Sequence, residues 1–232
     1  MLGIGVWFLF SLPVFAADPL APKAQPAANA KAQLTPLLDG IRDYYRQAGD
    51  FSVSFSQAFH SKLTKRVQIS QGDVDFARPA KLNWRYQKPD NKAFISDGAT
   101  LWAVEAETKQ VKVRKNLKAS ELESSLAFLW GGGNLLDDYD VRQLNDSVLE
   151  GVVPVMGRLV LWLVPKQAAS FDTLYLLLNA QTRRIEEVLM VDSLGNLNHL
   201  TFGPPKNNQK FPKNHFTFTA PDKTWTVELL GE

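Results

Sequence analysis

Histidine and carboxylate side chains are the groups of this chain that could act as general acids, general bases or metal ligands. The three histidines, His60, His199 and His215, lie far apart, and none is accompanied by carboxylates at ligand spacing. Any two could meet in the fold, but solitary surface histidines are the favoured interpretation.

A short acidic run offers an alternative ligand set for a cation. Asp137, Asp138 and Asp140 lie close together, but a calcium loop interleaves glycine and ends in a distal glutamate, and this run has neither. A solvated acidic turn is the favoured interpretation. No metal and no other cofactor is predicted.

The motifs of common enzymes are missing from the sequence. There is no Gly-x-Ser-x-Gly elbow, no phosphate-binding Gly-x-x-x-x-Gly-Lys and no His-Glu-x-x-His. The chain has no cysteine, which excludes disulfides, thiol catalysis and thiolate metal sites. We therefore expect a binding protein and not an enzyme.

A basic cluster consists of Lys109, Lys112, Arg114, Lys115 and Lys118. Its middle alternates with valines, which is typical of the wet face of a strand. A docking patch for an acidic partner or for lipid headgroups is the alternative. The net charge of +2 is too close to neutral to indicate nucleic acid binding.

The N-terminus has the pattern of an export signal. Residues 2–15 are apolar apart from Ser11, and Val14-Phe15-Ala16 fits the small-residue cleavage pattern, so we predict a signal peptide at 1–16. A buried N-terminal element is the alternative. The run is too short to span a membrane. Without a cysteine for a lipid anchor, the mature chain is expected to be soluble in the compartment to which it is exported.

The remaining pattern predicts few helices and many short strands. The Ala/Pro-rich residues 17–33 read as a disordered lead-in, before a domain at 34–232. Helical spacing predicts an amphipathic helix at 34–47, another at 120–130 and a short helix or turn at 134–139. Alternation of apolar and polar residues predicts strands at 51–59, 67–76, 82–86, 94–95, 101–104, 111–113, 141–144, 148–153, 159–164, 171–178, 185–192, 198–202, 216–218 and 225–229. A change of phase at Gln71-Gly72 predicts a β-bulge in the second of these strands.

These short strands and hairpin-sized links predict an α+β fold. Some ten to twelve of these strands in a largely antiparallel, strongly curved sheet, with segregated helices on one face, give an open-barrel architecture. The strand faces are unusually rich in aromatic residues from Gly72 to Trp84 and from Ser96 to Trp102. Such a face must be covered, either by the protein's own helices or by an apolar cargo.

Several segments in order resemble one family. Arg78-Pro79-Ala80-Lys81-Leu82-Asn83-Trp84, then Pro89 and Ser96-Asp97-Gly98-x-x-Leu101-Trp102, is similar to the periplasmic outer-membrane lipoprotein carrier family (LolA). Phe51-x-x-x-Phe55-x-Gln57 resembles its first strand. Asp192-x-x-Gly195-Asn196, Leu200-x-Phe202 and Phe216-Thr217-Phe218-x-x-Pro221 resemble its last strands. The similarity covers about 34–229, while 117–140 does not align.

The resemblance implies an incomplete antiparallel β-barrel with helices covering its open side. Proteins of this kind take lipoproteins from an ATP-driven inner-membrane exporter and deliver them to an outer-membrane receptor. The implied partners are therefore lipoprotein acyl chains, the exporter and the receptor, and we expect a monomer. The receptor has the same fold but is itself a lipoprotein, so this cysteine-free chain falls on the carrier side.

The resemblance also assigns roles to individual residues. Arg78 is expected to act as a latch on backbone carbonyls of the lid helices, with an exposed strand-end arginine as the alternative. The expected acyl-chain cavity comprises Phe51, Phe55, Leu82, Trp84, Phe94 and Trp102, and Leu82 is also a candidate exporter contact. For Trp84 and Trp102, an ordinary core role is an equal alternative.

Two other functions stay open. A periplasmic module of the same fold that senses or binds lipids or glycolipids would normally be joined to a membrane span or a further domain. An exported hydrolase of amphipathic substrates would need a nucleophile motif, which the sequence lacks.

Overall fold

The computed structural model of this chain describes residues 27–87, 90–116, 135–144 and 157–230. Several predictions lie outside these residues: the signal peptide at 1–16, the lead-in up to residue 26, the helix at 120–130 and the strand at 148–153.

Two helices are described. Helix α1, Ala27–Ala48, begins earlier than the predicted start at Leu34 and buries the predicted apolar stripe, including Leu37 and Ile41. It ends at Ala48, and the next residue, Gly49, has a φ of 65°, which suits a residue without a side chain. Helix α2 is a single turn at Leu135–Asp138, where a short helix or turn was predicted. No described helix is long and apolar enough to cross a membrane.

Twelve strands are described. In chain order, β1 to β12 are Phe51–His60, Val67–Ala77, Lys81–Tyr86, Lys92–Ser96, Leu101–Glu105, Gln110–Arg114, Tyr139–Leu144, Arg158–Pro165, Thr173–Asn179, Ile185–Val191, Leu197–Phe202 and Thr226–Leu229.

The hydrogen-bonded strand order is β12-β6-β5-β4-β3-β2-β1-β11-β10-β9-β8-β7. Neighbours pair antiparallel from β2 to β6 and from β7 to β11, whereas β12 lies parallel to β6. Strands β12 and β7 lie at the two edges of this order and are not neighbours in it, so the described strands form an unclosed sheet. The predicted antiparallel-rich, unclosed sheet with few helices is confirmed. Helices over its open side stay a proposal, because residues 117–134 lie outside the described ones.

The chain forms two compact units. Among the described residues, the first comprises 27–44, Gln57–Ile69, 135–144 and 157–201; the second comprises Tyr45–Ser56, 70–87, 90–116 and 202–230. In the first unit, every residue from Leu174 to Leu178 is fully buried. Because successive strand residues point to opposite faces, both faces of β9 are covered.

In the second unit the two faces of strands β3 to β6 differ in composition. One face carries a core cluster of Ile95, Val104, Val111 and Val113, with Phe218 and Trp225 packed against it. The predicted strand at 216–218 is therefore wrong. The alternating apolar residues there belong to a segment that covers the sheet instead of pairing with it. This segment begins with a turn in which the Pro212 carbonyl accepts a hydrogen bond from the His215 N–H at 3.1 Å.

Candidate functional site

The register of the second unit gathers aromatic side chains on the other face of the sheet. Trp84 lies opposite Val74 on β2 and opposite Phe94 on β4, and Leu82 lies opposite Phe76. Directly opposed residues of paired strands share a face, as do alternate residues of one strand. We call this surface the aromatic face and define it by Phe51, Phe55, Phe76, Leu82, Trp84, Tyr86 and Phe94.

Strand β1 adds Phe51 and Phe55 through ring contacts. The Phe51 ring centroid lies 4.9 Å from that of Phe76, and the Phe55 centroid lies 5.0 Å from those of both Trp84 and Tyr86. Phe51 and Phe55 are both buried. The rings on this face thus pack in two groups, Phe51 with Phe76 and Phe55 with Trp84 and Tyr86. The prediction omitted Phe76 and Tyr86.

Gly72 makes room for this cluster. A Cβ atom at this position would lie 2.7 Å from Cε1 of Phe55 and 1.9 Å from the Arg85 carbonyl oxygen. Only glycine allows the β2 backbone to approach so closely. The predicted bulge is absent from the β2–β3 pairing, which is regular from Gly72 to Ala77.

The edge of the aromatic face is polar. Phe94 is half-buried, 6.5 Å from the Tyr86 ring, and Lys92 Nζ lies 4.5 Å above that ring in a cation–π contact. Burial raises the pKa of Tyr86, with a smaller contribution from the charge of Asp90. The phenol therefore stays neutral. Leu82 is only 2% exposed and lies deep in the core, so it offers no surface for the candidate contact with the exporter.

Trp102 does not belong to the aromatic face, so its placement with the other cavity residues is wrong. It pairs with Ile95, whereas Phe94 pairs with Ala103. Neighbouring strand residues point to opposite sides. Trp102 therefore packs against the core cluster of Ile95 and Val104, which supports its alternative role as a core residue.

Arg78 reaches the end of helix α1. Its Nη2 donates to the Tyr45 carbonyl oxygen at 2.7 Å, and its backbone N–H donates to Asp50 Oδ1 at 3.1 Å. Tyr45 lies in the last turn of α1, where the backbone carbonyls and the helix dipole attract cations. The resemblance implies lid helices within 117–140, and residues 117–134 of that segment lie outside the described ones.

The opposite face holds a polar network that sequence reasoning missed. The Asp75 carboxylate accepts hydrogen bonds from the Ser52 hydroxyl, from Arg85 Nη2 at 2.7 Å and from His215 Nε2 at 2.7 Å. Burial, the largest single influence, raises the pKa of Asp75, but these three hydrogen bonds and the Arg85 charge outweigh it and lower the pKa overall. The network ties residue 215 to β2.

A similar network lies in the first unit. Glu187 is hydrogen-bonded to Arg158 and, at 2.7 Å, to His199 Nε2. These bonds outweigh burial and lower the pKa of Glu187. The prediction of solitary histidines is therefore wrong for His199 and His215, since each binds a buried carboxylate. In the described part of the chain, no group of histidines and carboxylates could hold a metal ion, and Asp137, Asp138 and Asp140 form no such group.

The predicted basic cluster is ordinary surface where it is described. Lys112 and Arg114 alternate with buried Val111 and Val113, as predicted. Lys112 forms an exposed ion pair with Glu228 at 3.7 Å, and Lys109 Nζ donates to Thr224. Such pairs contribute little stability.

An unclosed, mostly antiparallel sheet with one aromatic face defines a class of proteins suited to bind apolar ligands. The model of the family described as outer membrane lipoprotein carrier protein LolA matches residues 46–219. The chain therefore belongs to this family.

Individual comparisons agree. The outer-membrane lipoprotein carrier protein of Cupriavidus pinatubonensis is 31% identical over 213 residues, which cover 91% of each chain. That of Dechloromonas aromatica is 29% identical over 197 residues, 84% of this chain and 88% of the relative. Among solved structures, an uncharacterized conserved protein from Thermus thermophilus superposes with a TM-score of 0.55 at 11% identity, covering 85% of this chain and 99% of that one. This last similarity concerns the fold alone.

Proposed function

We propose that this protein is a periplasmic carrier that binds the acyl chains of lipoproteins and delivers them to an outer-membrane receptor. Membership of the lipoprotein carrier family supports this function most strongly. The aromatic face of the second unit supplies the surface that such a cargo needs.

Acyl chains need such a surface because water is a poor solvent for them. Exposing a chain costs about 0.8 kcal/mol per methylene. The aromatic face replaces the bilayer as the environment for part of each chain. No covalent step is needed, so binding and release depend on relative affinity alone. Delivery requires only that the receptor bind the chains more tightly than the carrier does.

Phe94 is the residue of the aromatic face through which we expect cargo to enter. It is half-buried, whereas Phe55, Leu82 and Trp84 are buried. An acyl chain can therefore contact the Phe94 ring first. Deeper insertion requires the rings of Phe51 and Phe55 to give way. This displacement keeps affinity modest, as transfer to a receptor demands.

Arg78 is proposed to favour the empty state. Its guanidinium holds the last turn of α1 through the Tyr45 carbonyl, next to the ring of Tyr45, whose centroid lies 5.7 Å from that of Phe51. Cargo that separates these rings would break the bond, and its re-formation would assist release. The proposed latch thus includes α1, in addition to the expected lid.

Export and partners complete the proposal. Cleavage after Ala16 would release the chain into the periplasm. There it would receive cargo from an ATP-driven inner-membrane exporter and act as a monomer.

Native mass spectrometry of the protein recovered from the periplasm tests the function. We expect the wild type to carry intact lipoprotein. Phe94→Ala should reduce the loaded fraction, whereas Trp102→Ala, a half-buried aromatic residue on the opposite face, should retain it. Recovery of a wild type that carries only free lipid, or no ligand under conditions where lipoproteins are exported, would contradict the proposal. Equal loss in both variants would remove the aromatic face from it.

A further inference from the structure

Two turns of the first unit expose leucines to water. Leu63, between β1 and β2, is 90% exposed, and Leu194, between β10 and β11, is 76% exposed. These are the two most exposed large apolar side chains of the described residues. We call residues 61–66 and 192–196 together the leucine tip.

Hydrogen bonds fix the leucine tip in place. The Lys62 backbone N–H donates to Asn196 Oδ1 at 3.0 Å, which joins the two turns. The Asp192 carboxylate accepts from the backbone N–H groups of Leu194 and Asn196 and from Asn196 Nδ2. Ser61 closes the other turn by accepting from Thr64 and Lys65. Both leucines are therefore presented by ordered turns.

The charge of the leucine tip is positive. Lys62, Lys65 and Arg66 flank Leu63, and no acidic residue occurs from Ser61 to Gly72. None of the three cations forms an ion pair with another described residue. The carboxylate of Asp192 is engaged in the turn that presents Leu194. The tip thus combines single apolar side chains with three cations and one carboxylate, that of Asp192, and is positive overall.

We propose that the leucine tip contacts a lipid bilayer that contains anionic headgroups. Leu63 and Leu194 insert at the boundary between headgroups and acyl chains, and the three cations lie among the phosphates. Interfaces between proteins favour aromatic residues and are poor in lysine, so this composition fits a lipid surface better. None of these residues belongs to the aromatic face, and the inference goes beyond the proposed function.

The contact is weak and reversible. A cation close to an anionic surface strengthens binding about fivefold. Three cations less the carboxylate of Asp192 therefore account for a preference of about thirtyfold over a neutral surface. Each leucine adds an apolar contribution that does not depend on salt. The protein should therefore visit an anionic membrane without staying on it.

The lack of cysteine in this chain allows a direct test. An environment-sensitive fluorophore is attached to each of three single-cysteine variants, Leu63→Cys, Leu194→Cys and Leu229→Cys. Leu229→Cys is the control, because it replaces a leucine of β12 that is 67% exposed. The full chain is titrated with phosphatidylcholine vesicles that contain or lack phosphatidylglycerol. Cosedimentation of the unlabelled wild type is measured alongside.

We expect blue-shifted emission from positions 63 and 194 on phosphatidylglycerol vesicles and none from position 229. High salt should reduce the shift to that seen on vesicles without phosphatidylglycerol, and replacing Lys62, Lys65 and Arg66 by serine should weaken cosedimentation about a hundredfold. Equal shifts at all three positions, equal binding to neutral vesicles, or no binding by the wild type would overturn the proposal. Binding only to membranes that contain protein would do so too.

Discussion

Replacing Arg78 by leucine should slow the release of cargo. The guanidinium donates to the Tyr45 carbonyl at 2.7 Å, whereas the backbone N–H that donates to Asp50 is unaffected by the substitution. Arg78→Leu therefore removes one charge-assisted hydrogen bond at the end of α1 and leaves the β2 backbone anchored. The empty state loses the stabilisation that the bond provides.

The size of this effect follows from the geometry. A hydrogen bond that involves a charged group contributes about 1.5–3 kcal/mol, and the exposure of Arg78 places it at the lower end. A loss of about 1.4 kcal/mol corresponds to a tenfold change in an equilibrium constant. We therefore expect the equilibrium between empty and loaded states to shift about tenfold towards loading.

The assay is the transfer of labelled lipoprotein from the carrier to membranes that contain the receptor. Arg78→Leu should load normally and release about tenfold more slowly, and Arg78→Lys should restore part of the rate because a cation remains at the helix end. Arg42→Leu is the control, since its ion pair with Asp39 is exposed and lies within α1. Release by Arg78→Leu at the wild-type rate would refute the role of this residue.

Two further predictions concern stability. Gly72→Ala places a methyl group 2.7 Å from Phe55 and closer still to the Arg85 carbonyl, so thermal unfolding should show that the free energy of unfolding falls by about 1–3 kcal/mol or more. An unchanged melting temperature would contradict the close approach. Asp75→Asn should lower the free energy of unfolding by about 2–3 kcal/mol at neutral pH, whereas Asp73→Asn on the same strand should change it little. Because the pKa of folded Asp75 is lowered, its stabilisation is complete above the unfolded value of about 4 and is lost as the pH falls through the folded value. Denaturant curves should therefore show that the difference in free energy of unfolding between wild type and Asp75→Asn becomes smaller in acid. A difference that stays constant with pH would be incompatible with the lowered pKa of Asp75.

The sequence predicted local structure well because local patterns determine it. The apolar stripe of α1 and the alternation of β1 and β3 are read directly from residue spacing. Trp102 was misplaced because alternation within one strand does not say which face meets the face of its neighbour. The pairing register decides that, and it places Trp102 opposite Ile95.

Long-range polar contacts were beyond sequence reasoning for a different reason. Asp75 and His215 are 140 residues apart, and no spacing rule links them. A covering segment such as 216–218 also uses the alternation typical of a strand, because each pattern places every second side chain on an apolar surface. For Arg78 the resemblance implied a bond to backbone carbonyls of the lid helices, whereas the bond described is to the carbonyl of Tyr45 in α1.

Site-specific photo-cross-linking tests most directly whether lipoprotein acyl chains bind on the aromatic face. A photoreactive amino acid is introduced in place of Phe94 or of Trp102, and each protein is loaded with a lipoprotein that carries radiolabelled acyl chains. We predict cross-links to the acyl chains from position 94 and none from position 102. Cross-links from position 102 alone, or equally from both, would show that the cargo lies elsewhere.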